Sequence, residues 1–189
     1  ETFSIHIGVT NGEWPKFQGI SLSQKNVALI GLGDIGSQIA RRLKVLGMDI
    51  TAYDPYAKTP DDLVKCLTRK DWPENIEQAD FIVLSCSLNS SNKYMLNEKI
   101  FNKLKTGVRI VNVGRGPLIN QYDLENALKQ DIVHSVALDV FEVEPLPKDS
   151  YLRLHPKCIF GSHNASNTKD AVIKTSELAI KKIQGYLYE

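Results

Sequence analysis

Short apolar runs alternate with longer amphipathic segments along most of this 189-residue chain. A short apolar run is typical of a strand buried on both faces of a parallel sheet, and a helical period of apolar residues is typical of a helix. We predict strands at residues 26–31, 50–53, 81–84, 108–111, 132–138 and 158–161. We predict helices at residues 34–46, 98–105, 121–129 and 168–188, with helical segments at 61–67 and 73–79. This alternation favours the α/β class, with an open, doubly wound parallel sheet in a single domain.

The two ends of the chain have different patterns. Residues 1–25 form a segment that leads into the domain, because Gly12, Pro15 and Gly19 interrupt any long periodicity. Trp14 and Phe17 are expected to pack on the domain. Residues 26–189 form the domain itself. Its last helix is expected to turn an apolar face inward, formed by Val172, Leu178, Ala179, Ile183 and Leu187.

A glycine-rich loop, Gly31-Leu32-Gly33-Asp34-Ile35-Gly36, closes the first predicted strand and opens the first long helix. Backbone N–H groups at a helix N-terminus bind a pyrophosphate well, since the helix dipole favours negative charge there. Gly31 would allow a tight turn, Gly33 the close approach of the phosphates, and Gly36 the contact between helix and strand. Asp34 is expected to cap the helix. The loop therefore predicts a dinucleotide site in a sheet of the Rossmann type.

Asp54, in Tyr53-Asp54-Pro55, ends the second predicted strand. A carboxylate at this place accepts hydrogen bonds from a ribose diol and repels a 2′-phosphate, which favours NAD over NADP. The alternative is a purely structural turn in which Asp54 is an ordinary loop residue.

Polar side chains also follow three later strands. Arg115 lies between two glycines in Asn112-Val113-Gly114-Arg115-Gly116-Pro117, and the glycines would let the backbone turn tightly around its guanidinium. That guanidinium can hold a planar carboxylate through two hydrogen bonds. A histidine side chain can exchange a proton near neutral pH, which makes His163 suited to proton transfer at a hydroxyl, and Glu144 could hold and stabilise its imidazole. Ligands of open α/β sheets bind beyond the carboxyl ends of strands, so we expect these residues and Asp139 to meet there.

Composition narrows the range of partners. The formal net charge is +1, from 23 basic and 22 acidic residues without a long run of either sign, so we expect neither nucleic acid nor a membrane as partner. No apolar run approaches the roughly 20 residues of a membrane helix, and the N-terminus lacks a signal-peptide pattern. Cys66, Cys86 and Cys158 lack the spacing of a zinc site or a disulfide framework. We therefore expect no metal and a cytoplasmic location.

These segments together resemble the NAD-binding domain of the D-isomer-specific 2-hydroxyacid dehydrogenases, the family that includes phosphoglycerate dehydrogenase. The resemblance rests on Gly31 to Gly36 with Asp54, on Asn112 to Pro117, on Ala137 to Phe141 followed by Glu144-Pro145, and on His163. It implies NAD as the cofactor and a 2-hydroxy or 2-oxo acid as the substrate. It also implies hydride transfer between C2 of the acid and the nicotinamide ring.

The resemblance assigns roles to individual residues. It implies that Arg115 binds the substrate carboxylate, that His163 is the acid/base, and that Glu144 is its partner. It implies further that Asp139 contacts the nicotinamide carboxamide, that Val113, Gly114 and Cys86 line the cofactor groove beside Ile35, and that the domain forms a homodimer.

The chain departs from the family pattern at several positions. Ser85 and Ser87 stand where histidine and proline are common, Asp34 where arginine is frequent, and Ser162 where a proline commonly precedes the histidine. Cofactor affinity and substrate preference depend on these positions. Family members also carry a substrate domain built from segments before and after the cofactor domain, and neither is present here. We expect an isolated domain that binds NAD and turns over very slowly or not at all.

Two other functions fit the same motifs. One is an NAD-responsive binding module that acts through partner contacts, as corepressors resembling this family do. The other is the cofactor domain of a neighbouring family, such as formate dehydrogenase or adenosylhomocysteine hydrolase, which the pairing of Glu144 with His163 fits less well. Among substrates, glycerate, phosphoglycerate, lactate and hydroxypyruvate stay open.

Overall fold

A computed structural model describes residues 2–188 as a parallel sheet with helices on its faces. The strands are β1 (Asn26–Ile30), β2 (Asp49–Tyr53), β3 (Leu67–Arg69), β4 (Phe81–Leu84), β5 (Val108–Asn112), β6 (Val133–Leu138) and β7 (Cys158–Phe160). The α-helices are α1 (Thr2–Thr10), α2 (Asp34–Val45), α3 (Glu98–Phe101), α4 (Gln121–Lys129) and α5 (Lys169–Tyr188). Short 3₁₀ helices occur at Ile76–Gln78, Gly116–Leu118 and Tyr151–Leu154.

The strand order is β3-β2-β1-β4-β5-β6-β7, and every pairing is parallel. The chain builds outward from β1 to β3, then returns to the other side of β1 and builds outward to β7. This order confirms the doubly wound sheet, and its switch point lies between β1 and β4. In such sheets the crevice at the switch point is where ligands bind.

The strand register aligns the carboxyl ends at one edge of the sheet. Ile30 at the end of β1 pairs with Tyr53 on one side and with Leu84 on the other. Leu84 pairs with Asn112, and Asn112 pairs with Leu138. Loops that leave β1, β2, β4, β5 and β6 therefore begin side by side.

The core lies on both faces of the sheet, because successive side chains of a strand point to opposite faces. Val27 and Leu29 of β1 pack in the layer that contains Ala40 of α2. Ala28 and Ile30 pack in the opposite layer, which contains the apolar residues of α3 and α4. The almost complete burial of β1 explains why its sequence is a continuous apolar run.

Helix α2 ends as its sequence predicts. Gly47 adopts φ 72°, the left-handed region, and its N–H donates to the carbonyl of Lys44 at 3.0 Å. The Met48 N–H reaches back to the carbonyl of Leu43 at 3.1 Å, which completes a Schellman motif.

Three of the predicted helical segments are wrong or too long. Residues 61–66 form turns, and Leu67 begins β3, an edge strand too short to show a periodicity in the sequence. Asn75, at φ 62°, interrupts the segment 73–79, so that only a 3₁₀ turn forms. Helix α3 ends at Phe101 rather than continuing to residue 105, and turns follow it.

The two ends of the chain also differ from expectation. The segment before β1 contains α1, which the sequence pattern did not predict, and Trp14 and Phe17 are 78% and 49% exposed rather than packed on the domain. Helix α5 forms as predicted, but every side chain from 172 to 187 is exposed, including its supposed inner face, because this helix does not pack on the sheet. None of the helices within residues 2–188 has the length and apolar character needed to cross a membrane.

Candidate functional site

A groove of about 500 Å³ opens at the carboxyl ends of β1, β2 and β4, at the switch point of the sheet. Its size is within the range of small-molecule sites, which is roughly 300–1,000 Å³. Four predicted cofactor residues line this groove, namely Gly31, Gly33, Asp54 and Cys86. Trp72 and Met95 add apolar surface at the same place.

The glycine loop has the geometry that a pyrophosphate site requires. Gly31 adopts φ 95°, a conformation that side chains other than glycine rarely take. A Cβ on Gly36 would lie 2.0 Å from the carbonyl oxygen of Gly31, so α2 starts in direct contact with β1. A Cβ on Gly33 would meet nothing within 4 Å. The space in front of the first N–H groups of α2 is therefore open to a ligand.

Asp34 does not cap α2, which corrects the sequence-based expectation. Gly33 occupies the N-cap position in an extended conformation, without a side-chain hydrogen bond, and Asp34 is the first residue of the helix. The positive end of the helix dipole stabilises the Asp34 carboxylate. The same carboxylate adds negative charge where a pyrophosphate would bind. Ile35 is 56% exposed beside it, and neither residue lines the groove.

Asp54 joins the glycine loop to the end of β2. One carboxylate oxygen, Oδ2, accepts the N–H of Leu32 at 2.8 Å, and Oδ1 accepts the N–H groups of Tyr56 and Ala57 at 2.9 and 2.8 Å. Partial burial opposes ionisation, but these hydrogen bonds outweigh it and keep the pKa of Asp54 below its ordinary value of 3.8. A carboxylate carries about four acceptor sites in total, so one site remains for a ribose hydroxyl.

Low pH is expected to reduce the stability that Asp54 contributes to the folded chain. Because the pKa of Asp54 is lowered in the folded chain, its contribution to stability is present above pH 3.8 and is lost as the pH falls through the lowered pKa. The unfolding temperature should therefore drop as the pH falls below about 5 and through the lowered pKa, and the drop should be smaller in Asp54→Asn. Equal drops in the two proteins, measured by circular dichroism, would contradict this role.

Ser85 and Cys86 form the wall of the groove opposite Asp54. The hydroxyl of Ser85 can donate to either of two carbonyls, that of Ile30 at 3.2 Å or that of Gly31 at 3.1 Å. This hydrogen bond supports the glycine loop. Burial raises the pKa of the Cys86 thiol, which is therefore neutral near pH 7. Gly114 lies against the carbonyl of Cys86, where a Cβ would be only 2.7 Å from that oxygen.

The Arg115 loop begins where β5 ends. The buried Asn112 side chain accepts the N–H of Gly114 and donates to the carbonyl of Arg115, both at 3.0 Å. No role was predicted for this asparagine, although a polar residue at the end of an apolar strand is a signal that the sequence offers. Val113 leaves the strand with its N–H bonded to the carbonyl of Leu84.

The glycines beside Arg115 have a different purpose from the tight turn that we predicted. Neither Gly114 nor Gly116 has a positive φ, and Arg115 itself is extended. A Cβ on Gly116 would lie 1.8 Å from the carbonyl oxygen of Phe141, so glycine is needed for close contact between two loops. Arg115 is exposed, and one of its guanidinium N–H groups donates to the carbonyl of Gly114 at 2.7 Å. Its other donors can bind an anion.

Glu144 and His163 are hydrogen-bonded, with 2.8 Å between Oε2 and Nδ1. The second oxygen of Glu144 accepts the N–H of Phe141 at 3.0 Å, which fixes the carboxylate. The hydrogen bond with His163 is the main cause of a lowered pKa at Glu144, and the charge of Arg115 contributes to the same shift. Glu144 and His163 thus meet at the sheet edge at which the Arg115 loop also begins, and Nε2 of His163 is left for a substrate. The side chains of Glu144 and His163 are 37% and 50% exposed.

Asp139 holds the loop that carries His163. Its carbonyl accepts the N–H of His163 at 2.7 Å, and its two carboxylate oxygens accept the N–H groups of Asn164 and Ala165 at 3.0 and 2.9 Å. These bonds stabilise the left-handed backbone of His163, at φ 58°. Contact of Asp139 with a nicotinamide stays a prediction.

The fold and the groups at the carboxyl edge of the sheet are those of a dinucleotide-binding domain. In this class of protein a phosphate-binding loop lies beside polar groups suited to proton transfer. Comparison with known sequences is more specific. The family description "D-isomer specific 2-hydroxyacid dehydrogenase, NAD binding domain" matches residues 1–165. This chain belongs to that family, as its NAD-binding domain.

Individual relatives agree with this assignment. D-3-phosphoglycerate dehydrogenase 2 of Arabidopsis thaliana is 38% identical over 184 residues, which are 93% of this chain and 29% of that protein. Human glyoxylate reductase/hydroxypyruvate reductase is 35% identical over 166 residues, 85% of this chain and 51% of that protein. A crystal structure of a glyoxylate reductase from Paecilomyes thermophila superposes with a TM-score of 0.87 at 30% identity, covering 97% of this chain and 56% of that one. The chain thus spans from under a third to about half of these relatives.

Proposed function

We propose that the protein carrying this domain is an NAD-dependent dehydrogenase that interconverts a 2-hydroxy acid and a 2-oxo acid. The observation that carries the proposal is the hydrogen bond between Glu144 and His163 at the same sheet edge as Arg115. The relatives named above are dehydrogenases and reductases, which supports an enzyme rather than a corepressor-like module.

The residues of the groove fit NAD. The open space at Gly33 and the N–H groups at the start of α2 suit a pyrophosphate, and the remaining acceptor site of Asp54 suits a ribose hydroxyl. When bound, NAD supplies or accepts the hydride at the nicotinamide ring. Asp54 also places negative charge where NADP would carry its 2′-phosphate, which favours NAD.

The chain's own groups account for binding and proton transfer. The guanidinium of Arg115 would hold the substrate carboxylate, which places the neighbouring C2 oxygen beside the free Nε2 of His163. During reduction Nε2 donates a proton to that oxygen, and during oxidation it removes the proton. Glu144, bonded to Nδ1, orients the ring and stabilises its protonated form.

We also propose that these 189 residues alone bind NAD but turn over slowly. Water reaches both Glu144 and His163, and a site that is closed from water is what makes such electrostatic contacts strong. The exposed apolar side chains of α5 support the presence of a further domain against this one. A steady-state rate of the 189-residue chain equal to that of the full-length protein would refute this.

A homodimer through this domain is a further proposal. The exposed side chains of Trp14, Phe17 and Ile20 support it, together with Ile159 and Phe160 at the open edge of the sheet. A sedimentation mass equal to the 21.2 kDa of one chain would contradict it. The free cysteines support a cytoplasmic location, which cell fractionation would test.

The direct test of the function is NADH oxidation by the full-length protein with a panel of 2-oxo acids, including hydroxypyruvate, glyoxylate and pyruvate. Arg115→Ala should raise KM for the accepted acid by about 10²-fold, since two charge-assisted hydrogen bonds are lost. Arg41→Ala is the matched control, because Arg41 is paired with Asp62 on the outer surface of α2. Failure of every 2-oxo acid to oxidise NADH would end the proposal.

A further inference from the structure

Tyr94 is tied to the Arg115 loop by its backbone. Its N–H donates to the carbonyl of Pro117 at 2.8 Å, and the next residues continue the contact through a parallel bridge between Leu96 and Ile119. Tyr94 has φ 54°, a left-handed conformation that persists in a bulky residue only where its surroundings impose it. The loop that follows β4 is thus fixed to the residues immediately after Arg115.

The side chain of Tyr94 reaches a second loop. Its hydroxyl donates to Oε1 of Glu142, and Oε2 of Glu142 accepts the N–H of Gln121, the first residue of α4, at 3.1 Å. Tyr94 and Glu142 are both half-buried, and the bond between them raises the pKa of the Tyr94 hydroxyl. Glu142 precedes Glu144 by two positions. The side chain of Tyr94 therefore connects the Arg115 loop with the loop that contains Glu142 and Glu144, and Glu144 in turn binds His163.

Helix capping accounts for only one oxygen of Glu142. Oε2 accepts the N–H of Gln121 beside the cap that Asn120 forms with the N–H of Asp123 at 3.1 Å, whereas Oε1 accepts the hydroxyl of Tyr94. The same two loops also touch where Gly116 lies against the carbonyl of Phe141. One point of contact permits free rotation between two loops, whereas a second point restricts their relative orientation. The bond between Tyr94 and Glu142 supplies that second point.

We propose that Tyr94 and Glu142 are positioning residues that fix the Arg115 loop relative to Glu144 and His163. The inference depends on the proposed function, because it places the carboxylate-binding guanidinium at a set distance from the imidazole. Neither side chain needs to touch the substrate. Geometry of this kind controls rate strongly, since a displacement of about 1 Å costs on the order of 10²-fold.

The kinetic test uses the full-length protein with Tyr94→Phe, Glu142→Gln and the double variant. Each single change should lower kcat for the accepted 2-oxo acid by about tenfold, with the dissociation constant for NADH within about twofold of wild type. The double variant should lose no more than either single one, because the two residues act as a unit. Tyr122→Phe is the matched control, as Tyr122 is 71% exposed on α4. Additive losses, or unchanged kcat, would overturn the proposal.

A second readout does not depend on activity. Amide hydrogen exchange in residues 113–118 and 141–146 of the same samples should become faster in Tyr94→Phe and Glu142→Gln and stay unchanged in Tyr122→Phe. Unchanged exchange in both loops would overturn the positioning role. A wild-type protein that reduces no 2-oxo acid would instead refute the proposed function, and the exchange result would still decide whether the pair holds the loops.

Discussion

Replacing His163 by glutamine is expected to lower kcat of the full-length protein by about 10²–10⁴-fold, the usual contribution of a positioned acid/base group. Glutamine is close in size and can still hydrogen-bond with Glu144, but it does not exchange a proton near neutral pH. The dissociation constant for NADH should change little, because the groove that fits NAD is built by the loops after β1, β2 and β4. Stopped-flow and steady-state measurements of NADH absorbance give both quantities.

The matched control is His155→Gln. His155 precedes the amino end of β7, whereas His163 follows its carboxyl end, so the two histidines lie at opposite edges of the sheet. The control should keep the wild-type kcat. If His163→Gln is as active as the control, the imidazole is not the proton donor, and the hydrogen bond with Glu144 has another purpose.

Replacing Gly33 by alanine is expected to weaken NAD binding by about 10²-fold or more while leaving the fold intact. A Cβ at this position meets nothing within 4 Å of the free protein, so the free energy of unfolding should hardly change. The added methyl group would occupy the space through which a pyrophosphate reaches the first N–H groups of α2, and those charge-assisted hydrogen bonds would be lost. Calorimetric titration with NAD, alongside thermal unfolding, separates the two effects.

Alanine substitutions at two other glycines serve as controls for this result. Gly185→Ala also adds a methyl group with nothing within 4 Å, but on α5, so NAD affinity should be unchanged. Gly36→Ala should unfold the domain, since its Cβ would lie 2.0 Å from the carbonyl oxygen of Gly31. Wild-type NAD affinity in Gly33→Ala would show that the pyrophosphate does not lie at this helix.

Local sequence patterns predicted the parts of the fold that depend on neighbouring residues. The apolar run of β1, the turn at Gly31 and the termination of α2 before Gly47 all follow from residues close in the chain. The placement of Arg115, Glu144 and His163 at one edge of the sheet was predicted because the carboxyl ends of parallel strands lie together. The hydrogen bond between Glu144 and His163 shows that these two side chains meet there, and the convergence of Arg115 with them stays a prediction.

Features that depend on tertiary contacts could not be predicted in this way. The need for glycine at position 116 comes from the carbonyl of Phe141, which is distant in the sequence. Asp34 resembled a helix cap, but the extended backbone of Gly33 takes that position. The apolar face of α5 predicted packing on the domain, and this prediction is wrong, because nothing in residues 2–188 covers that face. The contact between Tyr94 and Glu142 gave no sequence signal, because each is an ordinary polar residue within its own loop.

A crystal structure of the full-length protein with NAD and a 2-oxo acid tests the central claim most directly. We expect the pyrophosphate at the start of α2, a ribose hydroxyl on Asp54, the acid carboxylate on Arg115 and the C2 oxygen within hydrogen-bond distance of Nε2 of His163. A nicotinamide ring that lies away from the edge formed by Arg115 and His163, or an acid bound without Arg115, would contradict it.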